Sequence, residues 1–368
     1  MSDVNDTVLQ PDKKSYGARF AALALVLIFV FFVSFMLGRY PVNPADLVKI
    51  LLSHLISEAS RILPDALRDA FLNTFIIERT WESAAETVTL NVRLPRIAAA
   101  AGIGAALSAA GAAYQGMFRN PLVSPDILGA SSGAGFGAAF GILARFGYLG
   151  ISVSAFLFGI GAVLTAYAIS GRSRRMSSIL AMVLTGMMIS SLFSAATSFI
   201  KLIADTDEIL PVITYWLMGS LASIRNSDIF FAGIPIAAGL IILWLLRWRI
   251  NLLTVGDEEA KSMGVDIVRL RTVVILCATL LTAASVSVSG MIGWVGLVIP
   301  HCCRMIFGHD YNRLMPASMM FGAAFLIVVD DAARLISASE VPIGILTAFV
   351  GAPVFVYLIL SRGSENAY

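Results

Sequence analysis

Charge is what this sequence has least of. Only 14% of its 368 residues are Asp, Glu, Lys or Arg, against roughly a quarter in soluble domains, while 58% are hydrophobic. The net charge of +2 is too small to indicate nucleic acid binding. Charged residues are absent from eight stretches: 20–38, 97–118, 127–144, 146–171, 176–200, 229–246, 272–303 and 341–361. Because a helix needs about 20 apolar residues to cross a bilayer, we expect an all-α polytopic membrane protein.

Motifs for nucleotide or zinc chemistry are also missing. The sequence has no Gly-Lys dipeptide, which excludes a P-loop, and no His-Glu-x-x-His zinc motif. Its three cysteines, Cys277, Cys302 and Cys303, lie in or beside apolar stretches, so a disulfide framework is not expected. His301 precedes two of them, but consecutive residues point to different faces of a helix and make a poor metal site. We expect no catalytic residues, no metal and no cofactor in this chain.

Acidic residues are scarce inside the apolar stretches. Proton-driven transporters keep ionisable groups near the membrane midplane, where such groups are costly and functional. Here Asp330, Asp331 and Arg334 sit near one helix end, and Asp330 and Arg334 are spaced to pair. The energy source should therefore lie in a partner. An ion-coupled secondary transporter or channel is the alternative, since sodium sites of carbonyl and hydroxyl oxygens need no acid. A membrane-embedded enzyme or scaffold is a third, supported only by His301 and the cysteines.

The spacing of the stretches suggests a threading with both termini cytoplasmic. A modest majority of Lys and Arg then falls inside. Residues 272–303 are too long for one simple helix and contain Gly290, Gly293, Gly296 and Pro300, so we predict two short helices there and about ten spans. The predicted parts are a cytoplasmic tail 1–19, a first span 20–38, an external amphipathic segment 39–92, a membrane core 93–361 with a cytoplasmic loop 250–271, and a tail 362–368.

A faint internal repeat fits this threading. Residues 92–96 and 107–111 recur loosely as 268–271 and 281–285. The first copy starts outside and the second inside, which is typical of inverted repeats in transporters. Bias toward Ala, Leu and Gly is an equally good explanation of the similarity.

Two local patterns bear on packing and partners. Gly129, Gly133 and Gly137 form a stripe that lets helix backbones approach closely. The loop 254–265 predicts a short helix with an Asp257–Lys261 pair and a left-handed cap at Gly264. By itself such a helix is more often a solvated connector than a docking element.

Several motifs, in order, resemble the FecCD family, the permease subunits of type II ABC importers for ferric siderophores, haem and cobalamin. The similarity covers about residues 90–361. The motifs are Arg93 to Arg96, Gly111 to Gly116, Arg119 to Leu122, Leu128 to Ala134, Trp216 to Leu221, Gly256 to Gly264, Gly290 to His301, Asp330 to Arg334, and Leu346 to Pro353. Two features depart from the family: the long segment 39–92 and the cysteines at 302 and 303.

The resemblance implies a homodimer in the lipid bilayer of a bacterial inner membrane, with two cytoplasmic P-loop ATPase subunits, which hold ATP and Mg, and an external substrate-binding protein. It implies import of an iron-siderophore, haem, cobalamin or similar metal chelate. Four groups of residues carry the implied roles: ATPase coupling (Gly256, Asp257, Glu258, Ala260, Met263, Gly264), binding-protein docking (Arg93, Arg96, Arg334), a cytoplasmic gate (Ser177, Ser178), and pathway or helix packing (Gln115, Asn120, Pro121, Gly129, Gly133, Gly137, Gly290, Pro300).

Overall fold

Helices make up the regular structure of this chain. The structure, a computed structural model, describes residues 13–62, 64, 68, 77–172, 178–337 and 339–365, and no strand occurs among them. The first described helices are α1 Lys13–Met36, α2 Pro44–Ile62, α3 Ser83–Thr87, which continues through a π turn Val88–Arg93 into α4 Leu94–Met117, α5 Ala130–Leu143, α6 Tyr148–Ser170 and α7 Ser178–Ile203. The helices that follow are α8 Ile209–Met218, α9 Asn226–Val255, α10 Asp257–Ser262, α11 Ile267–Ser289, α12 Val295–Phe307, α13 Tyr311–Ile336 and α14 Ile343–Glu365.

Six of these helices are long and apolar enough to cross a membrane: α1, the continuous α3–α4 unit, α6, α7, α9 and α11. Shorter apolar helices are α5, α8, α12 and the first part of α14. The prediction of an all-α polytopic membrane protein is confirmed. The predicted ten spans would be the six long helices together with α5, α12, α13 and α14, and of these the six long helices meet the length and composition of a span. The first of these candidate spans is Tyr16–Met36 in α1, which contains most of the predicted stretch 20–38.

The centre of the bundle is formed by α4 and α11. In their apolar windows 72% and 78% of residues are buried, against 11% in α1. α4 contacts α9, α11, α12 and α13, and glycines make these contacts close. A Cβ on Gly104 would collide with the backbone of Gly322, and one on Gly111 with that of Gly296. Small residues let transmembrane backbones approach where no hydrophobic drive exists between helix and lipid.

The stretch 272–303 contains two helices with a break between them, as predicted, but the prediction that both are short is wrong for the first. α11 is a full 23-residue helix ending at Ser289, and only α12, with 13 residues, is short. The break lies at 290–294, where Gly290 (φ 69°) and Trp294 (φ 70°) adopt left-handed conformations that a right-handed helix cannot contain. Gly296 and Pro300 lie inside α12 and do not interrupt it.

The two copies of the weak repeat fall on the two central helices. Each central helix precedes a short apolar one: α4 precedes α5 with 14 residues, and α11 precedes α12 with 13. Asn251 Nδ2 donates to Asp310 Oδ1 at 2.7 Å, so the last turns of α9 and the loop after α12 meet at one end of the bundle. That end is called the coupling end below.

Candidate functional site

The helix α10 at the coupling end is bounded by glycines. Gly256 (φ 153°) precedes it and Gly264 (φ 77°) follows it. The Gly264 amide donates to the Lys261 carbonyl at 2.9 Å, and the Val265 amide to the Ala260 carbonyl at 3.2 Å. A left-handed glycine after the last turn satisfies carbonyls that the helix leaves unpaired. The predicted short, capped helix is confirmed.

Asp257 anchors α10 to the rest of the chain. Its carboxylate accepts two hydrogen bonds from Arg271, at 3.0 and 2.8 Å, and lies 3.8 Å from Arg119. The predicted Asp257–Lys261 pair is wrong, since Lys261 pairs with Glu258 at 3.3 Å instead. Arg271 on α11 is mostly buried and offers a planar fork that binds both carboxylate oxygens, which a flexible surface lysine does not.

The six predicted coupling residues divide between two faces of α10. Ala260 is fully buried in the chain's own core, whereas the Met263 side chain is 58% exposed. Gly256 is buried and Asp257 half-buried, while Glu258 and Gly264 are exposed. Any partner at this end therefore meets Glu258, Met263 and Gly264 directly, and Ala260 only holds α10 in place.

The loop beside α10 is held by Asp310. Its side chain accepts from the backbone N–H of Asn312 at 3.0 Å, which caps α13, and from the Asn251 amide. Partial burial opposes ionisation, but these hydrogen bonds, together with Arg313 nearby, outweigh it and lower the pKa of Asp310 below its usual value. Asp310 therefore stays charged and ties α9 to the start of α13.

The opposite end contains a buried cluster of arginines and acids. Arg96 donates through Nε to both oxygens of Asp330, at 3.0 and 2.9 Å, and its Nη2 lies 2.9 Å from Glu340. Arg334 lies 3.4 Å from Asp330, which confirms their predicted pairing, and also pairs with Asp331. These residues and Arg93 are called the arginine cluster below.

Arg93 joins this cluster to the end of α1. It is 3% exposed and donates to the carbonyls of Phe35 and Tyr40, the latter at 2.5 Å. Ser34 in α1 donates to Asp331 at 2.6 Å. The three arginines predicted to dock a binding protein are thus brought together, but Arg93 and Arg96 are buried, Arg334 is largely buried, and all three have partners inside the chain. Docking through them stays a prediction.

The glycine stripe packs α5 against α6. A Cβ on Gly133 would lie 2.5 Å from the Phe158 carbonyl oxygen, and one on Gly137 equally close to that of Ser154. Gly129 (φ 89°) sits in the left-handed region at the start of α5. The sequence indicates this close approach, and the structure shows where it occurs.

Gln115 connects α4 to α12. Its amide donates to the carbonyls of Val123 at 3.1 Å and Leu297 at 3.3 Å, and its oxygen accepts from Arg304. Next to it, the Asn120 side chain accepts from the Leu122 amide at 2.9 Å and fixes the turn at Pro121. Gly290 ends α11, and Pro300 is buried within α12.

The remaining predicted residues are those of the cytoplasmic gate and those around His301. Ser177 lies outside the described residues, and of Ser178 the structure describes only its place at the start of α7. His301 is buried, and Cys277, Cys302 and Cys303 are free thiols. Arg304 was missed by the sequence reasoning. The sequence feature that could have indicated it is an arginine at the end of an apolar stretch with no acid within four residues on either side.

Comparison with known proteins decides the family. The sequence model of the FecCD transport family matches residues 26–361. The chain belongs to the FecCD transport family. The chain is 38% identical over 360 residues to the molybdate import system permease protein MolB of Haemophilus influenzae, covering 97% of this chain and 100% of the relative. It is 38% identical over 279 residues to the cobalamin import system permease protein BtuC of Halobacterium salinarum, covering 76% and 74%.

A solved structure agrees with this placement. A metal-chelate type ABC transporter in an inward-facing conformation is similar with a TM-score of 0.80 and 36% identity, over 94% of this chain and 100% of that chain. The FecCD prediction is confirmed. This FecCD chain is an integral membrane permease of the ABC importer class, and its relatives are named as permease subunits.

Proposed function

We propose that this FecCD permease carries a metal oxyanion of the molybdate type across the membrane in an ATP-driven importer. The observation that supports this substrate is the extent of the similarity. MolB matches 97% of this chain, and such a match must include most of the segment 39–92, whereas BtuC matches 76%. A metal chelate such as cobalamin or an iron siderophore is the second candidate, favoured by BtuC and by the metal-chelate transporter structure.

The partners follow from the same proposal. The permease works as a homodimer, with two ATPase subunits at the coupling end and a substrate-binding protein at the other. The chain itself binds no cofactor, and ATP and Mg belong to the ATPase. The runner-up, a secondary transporter, would move its solute with an ion gradient and no ATPase.

Reconstitution distinguishes these substrates and energy sources. The permease is placed in proteoliposomes with its ATPase and binding protein, and uptake of labelled molybdate, cobalamin, haem and a ferric siderophore is measured with and without ATP. We expect ATP-dependent molybdate uptake. Uptake of a chelate but not molybdate overturns the substrate, and uptake driven by an ion gradient without ATPase overturns the proposed energy source.

Coupling to the ATPase is assigned to the outer face of α10. Met263 and Glu258 extend from a helix whose inner face is fixed by Ala260 and by the Asp257–Arg271 pair. An exposed, adaptable methionine beside charged groups suits a cleft in a partner. When the ATPase subunits move, the Asp257–Arg271 pair transmits the displacement from α10 to α11 in the centre of the bundle.

The substitution Met263→Asp tests this surface. Because it places a charge in a desolvated contact, we expect ATPase stimulation by the binding protein to fall at least about tenfold while the permease stays folded in the membrane. Met305→Asp is the matched control, since Met305 is also exposed (62%) and lies in the last turn of α12. Equal effects of the two substitutions would contradict the assignment.

A further inference from the structure

A polar cavity lies beside α10 at the coupling end. Its volume is about 390 Å³, and it is lined by the end of α4, the turn 119–121, Thr254, the end of α12 and the start of α13. Cavities of a few hundred Å³ with a small number of convergent polar groups are typical of small-ligand sites. None of the residues that line it is an acid.

Arg304 extends into this cavity as a buried cation. It is 7% exposed, and its Nη1 atom is buried without a hydrogen-bond partner. Its other contacts are to neutral groups, the Gln115 side-chain oxygen and the Tyr311 hydroxyl. None of the ion pairs of the described residues includes Arg304.

A buried guanidinium in this state is costly. Removing a charge from water is compensated only by an opposite charge or by a complete set of hydrogen bonds. The carbonyl end of α12 provides a partial negative charge, but it gives Nη1 no acceptor. Water could accept from Nη1, but it would leave the positive charge uncompensated.

The other lining groups are donors or cations as well. Arg119 stands at the cavity with its side chain 41% exposed, and its nearest acid, Asp257, is 3.8 Å away. Asn120, His309 and the Tyr311 hydroxyl complete the polar lining. Two guanidiniums with neighbouring amide, imidazole and hydroxyl groups match the acceptor oxygens of a phosphate-like anion.

We propose that this cavity, with Arg304 at its base and Arg119 at its mouth, binds a tetrahedral oxyanion of the phosphate class. The oxyanion is either free in solution or the phosphate of an anionic lipid headgroup. It also competes with Asp257 for Arg119, so occupancy of the cavity alters one of the two ionic contacts of α10. Molybdate is also a tetrahedral oxyanion, but this proposal rests on the residues of the cavity and not on which solute the permease transports.

Binding of inorganic phosphate tests the proposal directly. Full-length protein is placed in phosphatidylcholine nanodiscs, and binding of ³²P-orthophosphate is measured by equilibrium dialysis. We expect saturable binding that falls about tenfold or more in Arg304→Gln, because a charge-assisted hydrogen bond and the cation are both lost. Arg313→Gln is the matched control, a part-exposed arginine at the same end that pairs with Asp310 and does not line the cavity.

A second arm identifies the source of the anion. The same variants are purified from membranes containing phosphatidylglycerol, and retained lipid is quantified by mass spectrometry. Retention of that lipid by wild type but not by Arg304→Gln, without phosphate binding, supports the site with a headgroup as ligand. Absence of both in wild type, or equal binding in Arg304→Gln, overturns the proposal.

A third measurement covers the case in which Arg304→Gln does not fold. Phosphate should raise the thermal unfolding temperature of wild type, and Arg119→Gln, at the exposed mouth, should reduce that rise and weaken phosphate binding several-fold. Unchanged phosphate affinity in a folded Arg119→Gln, together with no thermal shift in wild type, overturns the proposal as well.

Discussion

The arginines at the two ends of this bundle differ in how many carboxylates they are paired with. In the arginine cluster, Arg93, Arg96 and Arg334 are buried or largely buried, and each has carboxylates or backbone carbonyls of the chain as partners. At the coupling end, Arg119 and Arg271 share one carboxylate, Asp257, and Arg304 has none. The first arrangement fixes α1, α4 and α13 to one another. The second leaves α10 attached by few contacts, as a moving element requires.

This contrast also separates structural residues from partner-facing ones. Charges that already have buried partners are costly to separate and gain little from an external protein. Charges and apolar groups at the coupling end are exposed or incompletely paired, so a partner or an anion adds contacts there. The difference predicts that substitutions in the arginine cluster reduce stability, whereas those at the coupling end change local motion and coupling.

The largest effect is expected at Asp330, which accepts from Arg96 and lies beside Arg334. Asp330→Ala leaves two buried guanidiniums short of a counter-charge and should cost about 3–5 kcal/mol of unfolding free energy. Unfolding by SDS titration in mixed micelles measures it. Asp207→Ala, at an exposed acid, is the control and should stay within about 0.5 kcal/mol. Similar values for the two variants would mean that the cluster contributes little.

A smaller, local effect is expected at Arg271. Arg271→Ala removes the two hydrogen bonds to Asp257, which is itself over a third exposed, so the loss should be about 1 kcal/mol rather than that of a buried pair. Hydrogen exchange of the α10 amides should then quicken about fivefold, with global stability nearly unchanged.

Lys261→Ala provides the matched control for that measurement. It breaks the exposed Lys261–Glu258 pair on α10 itself, which should change exchange very little. If Lys261→Ala and Arg271→Ala quicken exchange equally, the Asp257–Arg271 pair is not what holds α10 in place. The contrast drawn between the arginine cluster and the coupling end would then not apply to α10.

Local chemistry made part of this molecule predictable from sequence. Charge-free stretches locate the helices because the bilayer tolerates no unpaired charge. The glycines at 256 and 264 bracket α10 because a left-handed residue ends a helix, and Asp330 and Arg334 pair because they are one turn apart. Each of these inferences needs only neighbouring residues.

The errors and omissions at the two ends of the bundle concern contacts between separate segments of the chain. Asp257 pairs with Arg271 and not with Lys261 because the start of α11 lies against the start of α10. The residues of the loop alone do not predict this contact. Ala260 resembles a surface residue in the sequence but is fully buried. Arg96 and Asp330 are 234 residues apart, and the cavity around Arg304 is built from three separate stretches of the chain, 115–121, Thr254 and 304–311. Tertiary packing determines all of these.

The smallest expected effect concerns the C-terminal glycine of α10. Gly264 has φ 77° and no atom within 4 Å of where a Cβ would lie, so only backbone strain opposes a side chain. Gly264→Ala should cost about 1 kcal/mol and quicken exchange in α10, and Gly264→Asn should cost less, because Asn tolerates the left-handed region. Gly161→Ala, in equally open space but inside α6, should leave α10 exchange unchanged, since Ala is favoured over Gly in a helix. No change in α10 exchange for Gly264→Ala would mean that the C-terminal end of α10 adapts to a side chain without cost. The contrast between the fixed arginine cluster and the adjustable coupling end would then include the cap at Gly264.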